Sequence, residues 1–216
     1  MELKGKITSL GVYTGICFLV KDTSHIVGSA MLETKSLRLE TNPSRVVASD
    51  EKAIIKRLHV TVYFATKENM VKLSEKLKEL FPKQTNTELF GSLQDFLKYP
   101  PKDIKTYNTY RQTVVSMVTQ LLIMAMDTST VVVTFHPNSW INSKDGYLCA
   151  LPVAIHNTVL NNFMNFSGCK NPHITLFSAQ SFSFKKQILM LRKTAKKYTK
   201  NVGKAKKNVG KAKKNV

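Results

Sequence analysis

From Lys185 to Val216 the chain has no acidic residue, although 13 of these residues are Lys or Arg. The first 184 residues hold 20 basic and 14 acidic side chains, so the net charge of +19 splits into a mildly basic body at +6 and a polycationic end. Cysteine is also scarce. Cys17, Cys149 and Cys169 form an odd set with no CxxC pair, which leaves neither a disulfide framework nor zinc-ligand spacing. Each lies in or near an apolar run, so each is expected to be a small buried thiol in a reducing compartment such as the cytoplasm. No apolar run approaches the ~20 residues of a membrane span. No HExxH pair, phosphate-cradling Walker loop or dinucleotide glycine fingerprint is present, so neither a metal nor a nucleotide cofactor is implied. The stretch Ile7–Val20 follows Lys4 and Lys6 as a leader peptide would. It is diluted by Thr8, Ser9, Gly11, Tyr13, Thr14 and Gly15, and reads instead as a turn followed by a strand Ile16–Val20.

What remains is a chain of 216 residues with 43% hydrophobic content, enough for one domain with a sizeable core or two small ones. A strand is expected over Lys56–Ala65. Met70, Val71, Leu73, Leu77, Leu80 and Phe81 then recur at helical spacing until Pro82. Asn86–Pro101 reads as irregular, with Pro100-Pro101 in a surface loop. Thr109–Asp127 fits either a helix or a buried strand, with helix preferred at its start. Val131–Phe135 and Gly146–Val153 read as a hairpin-like pair of strands. Ala154–Phe166 reads as a short amphipathic helix. His25–Leu32 and Ser36–Glu40 are candidate strand pieces around a turn at Asn42-Pro43-Ser44. The expected class is α+β, in one domain over residues 1–184. A basic helix over 185–199 and a disordered tail over 200–216 complete the expectation. The tail repeats Lys-Asn-Val-Gly-Lys-Ala-Lys, which cannot bury enough to order itself. Such a polycation either reflects sequence expansion or attaches to nucleic acid or an acidic surface.

Two stretches carry the chemistry. His59-Val60-Thr61-Val62-Tyr63-Phe64 and His173-Ile174-Thr175-Leu176-Phe177 both read His-apolar-Thr-apolar-aromatic. On a strand, residues i and i+2 share a face, so each motif presents an imidazole beside a hydroxyl. One such motif is ordinary. Two of them supply an acid and a base near neutral pH, together with two hydroxyl donors for the oxygens of a phosphodiester. His25, His136 and His156 have no partner at metal-ligand spacing and are read as non-catalytic. Lys144 and Lys170 flank the motif elements, either as phosphate contacts or as solvated lysines.

The motifs, 114 residues apart, resemble the paired His-x-Thr-x motifs of the two-histidine (2H, LigT-like) phosphoesterases. The resemblance covers about residues 10–180. It implies two pseudo-symmetric lobes of antiparallel sheet with flanking helices around a central cleft, and a metal-independent phosphodiesterase without cofactor. His59, Thr61, His173 and Thr175 would be its catalytic residues. Members cut 2′,3′-cyclic phosphates, 2′-5′-linked oligoadenylates or cyclic oligonucleotides, and several are viral or phage proteins that destroy nucleotide messengers of immunity.

Gly11-Val12-Tyr13-Thr14-Gly15-Ile16 is similar to the Tyr-containing lead-in of phage anti-CBASS phosphodiesterases. Tyr13 is therefore either a base-stacking residue or a strand-edge aromatic. Trp140 is a second stacking candidate or a core anchor. The segment 86–105 and the basic tail have no counterpart in the family pattern.

Three functions follow as expectations. The first is a monomeric enzyme that cleaves 2′-5′-linked or cyclic nucleotides, such as 2′,3′-cGAMP or 2′-5′ oligoadenylate, in immune evasion. The second is an RNA-end 2′,3′-cyclic phosphodiesterase. The third is a nucleotide sponge without turnover.

Overall fold

Leu3, Gly5 and Ile7 are buried along the first strand while Glu2, Lys4 and Lys6 are exposed, the period-two pattern of a half-buried strand. The computed structural model describes residues 1–19, 22, 26, 58–136, 139–142 and 148–178. Within these, β1 (Glu2–Leu10) turns at Gly11, which has φ 61°, into β2 (Tyr13–Phe18). β3 (His59–Phe64) carries the first motif. Three helices follow: α1 (Lys67–Leu80), α2 (Glu88–Lys98) and α3 (Ile104–Met126). Then come β4 (Thr130–Thr134), β5 (Ile141–Asn142), β6 (Leu148–Pro152), β7 (Ala154–Ile155), α4 (Thr158–Ser167) and β8 (His173–Ser178). No helix among the described residues is long and apolar enough to cross a membrane.

The strands form one sheet in the order β5-β6-β8-β3-β2-β1-β4-β7, with every neighbour antiparallel. The α+β expectation is met. α3 packs on β1 and β2, and α4 packs on β3. These helices join Ile7, Ile16, Val60, Val62, Val133, Leu151 and Ile174 in one buried cluster on one face of the sheet. A buried hydroxyl contact, Thr14 Oγ1 to Thr119 Oγ1 at 2.9 Å, fastens β2 to α3. Thr119 spends its own hydrogen on the Val115 carbonyl, so Thr14 is the donor.

Several expectations are corrected. The strand after the expected turn starts at Tyr13 rather than Ile16, and the stretch before the turn is itself a full strand, Glu2–Leu10. Its alternation is masked because Gly5 occupies an inward position. A Cβ there would meet Ile16 Cγ2 at 2.6 Å and Phe18 Cε1 at 2.8 Å. Gly5→Ala should therefore lower folding stability by about 1–3 kcal/mol through overpacking, read from the urea midpoint.

Residues 88–98 form a helix, not an irregular loop. The Thr87 hydroxyl accepts from the Phe90 amide at its start, and Phe90, Leu93 and Leu97 are buried. Gly91-Ser92 inside it and the prolines after it lower its propensity, but the buried stripe prevails. The ambiguous segment is helical over 104–126. β4 and β6 do not pair as a hairpin: β4 lies between β1 and β7, and β6 between β5 and β8. The last helix starts at Thr158, where Asn157 Oδ1 accepts from the Leu160 amide, after the two-residue strand β7. Apart from Ile26, which is buried, the candidate elements at 25–44 lie outside the described residues, as do Lys144, His25, the 185–199 helix and the 200–216 tail.

Candidate active site

β3 and β8 are neighbours at the middle of the sheet, joined by the pairing of Val60 with Ile174. Both of these residues are fully buried on the helix-covered face. Their flanking residues therefore point to the opposite face. In antiparallel register His59 lies beside Thr175, and Thr61 beside His173. The two histidines are diagonal neighbours, with Cα atoms on the order of 7–8 Å apart. All four side chains are half-buried.

A bulge follows the threonine in each motif strand. Between β2 and β3 the register runs Gly15 to Thr61 and then Thr14 to Tyr63, so Val62 is the extra residue. Between β6 and β8 it runs Ala150 to Thr175 and then Cys149 to Phe177, so Leu176 is extra. A bulge shifts the alternation by one. Tyr63 is thereby fully buried, and Phe64 returns towards the histidine face. The Ser167 hydroxyl, at the end of α4, donates to the carbonyl of the bulged Val62 at 2.8 Å.

The histidine environments differ. The His173 Nδ1 atom lies 2.9 Å from the Asn171 carbonyl oxygen. That oxygen can only accept, so Nδ1 carries the hydrogen and Nε2 holds the lone pair of the neutral ring. Burial lowers the pKa of His173; the Asn171 carbonyl partly opposes this, and the nearby His59 adds to the lowering. Next to His59, the Tyr13 ring lies 5.0 Å away, centroid to centroid, at an interplanar angle of 30°. Tyr13 also lies 6.4 Å from the Phe64 ring. The Thr61 hydroxyl makes no hydrogen bond among the described residues.

Of the residues expected from the sequence, His59, Thr61, His173, Thr175 and Tyr13 come together. Trp140 does not join them. It packs, partly buried, against the main core just before β5, two strands from β8. His156 follows β7 at the far edge of the sheet, where its Nε2 is 2.9 Å from Thr134 Oγ1. His136 and Lys170 are exposed. Cys149 is buried, but Cys17 and Cys169 are only half-buried. Burial nevertheless pushes the Cys169 thiol above its usual pKa. Among the described residues no three His, Cys, Asp or Glu side chains converge to hold a metal ion.

Two contributors were not singled out from the sequence. Gly15 faces Thr61, and a Cβ there would come within 3.5 Å of His59 Cδ2, so its missing side chain leaves room beside the imidazole. A glycine within a strand is a signal for such an approach. Arg111, from α3, donates through Nε to the Ala65 carbonyl at 2.6 Å and sets its guanidinium 5.4 Å above the Phe64 ring. Only the tertiary fold reveals it. Comparison with protein-family profiles, curated proteins and solved structures gives no match.

Proposed function

We propose that the chain is a metal-independent phosphodiesterase acting on 2′-5′-linked or cyclic nucleotides, with host nucleotide messengers as its target. The observation that carries this reading is the placement of two His-x-Thr pairs side by side on one face of adjacent strands. The matching bulges after Thr61 and Thr175 support two related halves of the 2H kind, meeting at β3 and β8. Tyr13 beside His59 supports a base-stacking role next to the reacting phosphate.

In this reading His173 is the base, because its environment favours the neutral ring and its Nδ1–H is engaged by Asn171. Its Nε2 takes the proton of a ribose hydroxyl vicinal to the phosphate. The oxygen attacks phosphorus, and His59 gives a proton to the departing nucleoside oxygen. A cyclic phosphate and a free hydroxyl result. Water then opens the ring with the two histidines in exchanged roles. Thr61 and Thr175 donate to the non-bridging oxygens as charge builds on them.

The test uses the purified chain with EDTA and a panel of 2′-5′-linked, 3′-5′-linked, cyclic dinucleotide and 2′,3′-cyclic mononucleotide substrates, with products identified by mass spectrometry. Cleavage of 2′-5′ or cyclic dinucleotide linkages is expected. Turnover confined to 2′,3′-cyclic ends would place the enzyme in RNA-end processing. Tight binding without turnover would sink the catalytic reading.

The pH profile follows from His173. A depressed pKa keeps the base neutral further into acid, so the acid limb of kcat/KM should fall below the ordinary histidine value of about 6.5. An acid limb at or above that value would remove His173 from the role of base. The same shift favours the protonated unfolded chain, so this residue's contribution to stability declines as pH drops through about 6.5.

A further inference from the structure

Beyond the end of β3 lies a cavity of about 800 Å³ between the start of α1, the loop after α2 and the first turns of α3. That volume is in the range of ligand pockets. Its charged groups are of one sign. Lys67, Lys102 and Arg111 line it, and no acidic side chain does. None of these three cations is ion-paired among the described residues. The amino end of the 14-residue helix α1, capped by Thr66, opens on the same space and adds its partial positive charge. Tyr107 and Tyr110, on the same helix as Arg111, also line it, stacked on each other at 6.0 Å, with Tyr110 stacked on Phe96 at 4.9 Å. The hydroxyl of Tyr107 is buried without a hydrogen-bond partner among the described residues. This wall therefore holds polar capacity that the protein itself leaves unused.

The cavity is connected to the histidines by flat groups. His59 meets Tyr13, Tyr13 meets Phe64, and Arg111 lies over Phe64. The His59 and Phe64 rings both lie against Tyr13, so they are no more than about 11 Å apart. The cavity lies past Phe64 and Arg111 from the histidines, where the next part of a chain bound at the histidines would arrive.

We propose that this cavity is a second binding site for a nucleoside phosphate, namely the part of an oligonucleotide substrate remote from the scissile bond. Its phosphate sits among Lys67, Lys102, Arg111 and the α1 amino terminus, and its base lies against the tyrosine wall. The segment 86–105, which the two-histidine resemblance leaves unaccounted for, supplies Leu97 and Pro100–Lys102 of the lining. The assignment rests on the phosphodiesterase reading for its link to catalysis, but not for binding.

The test uses the full chain at about 0.15 M salt, which screens exposed charge. Lys67→Gln combined with Lys102→Gln, and separately Ser74→Glu, change exposed positions on the cavity rim. Binding of a fluorescein-labelled 2′-5′-linked adenylate tetramer is followed by anisotropy, with AMP as a second ligand. Turnover of adenosine 2′,3′-cyclic phosphate is measured in parallel. The tetramer's Kd should rise roughly tenfold in both variants, with turnover of the cyclic mononucleotide unchanged. Unchanged tetramer affinity in the variants would overturn the cavity assignment, and turnover would then show that the histidine reading survives alone. Weakened tetramer binding in a chain that turns over nothing would keep the cavity and remove the catalytic reading. AMP binding as tightly as the tetramer would overturn the assignment to a substrate tail.

Discussion

Replacing His59 or His173 with alanine should lower kcat/KM by roughly 10²–10⁴-fold, the usual contribution of one positioned acid or base. The double replacement should cost much less than the product of the two losses, because the pair acts as one unit. Neither change should unfold the chain. The core on this line of the sheet is made by Val60 and Ile174 on the opposite face, and both remain. Thermal melts of both variants close to that of the parent would separate lost chemistry from lost structure. Steady-state kinetics at several pH values would then assign roles. Loss of His173 should abolish the acid limb, and loss of His59 the alkaline limb. Full activity in either variant would end the two-histidine mechanism.

The second large effect concerns the threonines. Thr61→Val and Thr175→Val keep the β-branched shape that suits a strand and remove only the hydroxyl. Each should reduce kcat by about 10²–10³-fold, as lost donors to a developing oxyanion do, with a small change in KM. Because the Thr61 hydroxyl makes no hydrogen bond among the described residues, its loss should leave stability near that of the parent. Serine at either position should recover most of the rate, since the donor returns. If valine instead raised KM and spared kcat, the hydroxyls would bind substrate and transition state alike.

Much of this arrangement was legible from spacing. The i, i+2 relation of His and Thr places both on one face of a strand wherever that strand lies. The stripes of α1 and α4 announce helices because their buried positions recur at helical period. What could not be read depends on partners distant in sequence. The adjacency of β3 and β8 is set by which strands the chain leaves for others. Val62 and Leu176 are apolar residues in apolar runs, and nothing in the letters marks them as bulged. Strict alternation would have put Tyr63 on the face of His59; the bulge buries it. β1 was hidden by a single inward glycine, Gly5, whose reason is the closeness of Ile16 and Phe18. Arg111 belongs to a helix 46 residues beyond the carbonyl it holds.

The pairing between β3 and β8 has a mechanical consequence. Among the described residues, the other long strand pairs in this sheet are stitched through five or six residue pairs, whereas this one is stitched through Val60 and Ile174. Among the described long strand pairs, the line of least backbone cohesion thus runs between His59 and His173. Local opening follows such lines, since its free energy falls with the number of bonds broken. The sheet can breathe there without loosening either half, with Val60 and Ile174 as the pivot. The spacing between the two imidazoles is then a soft coordinate of the molecule, one that a bound phosphate bridging both sides would draw in and hold.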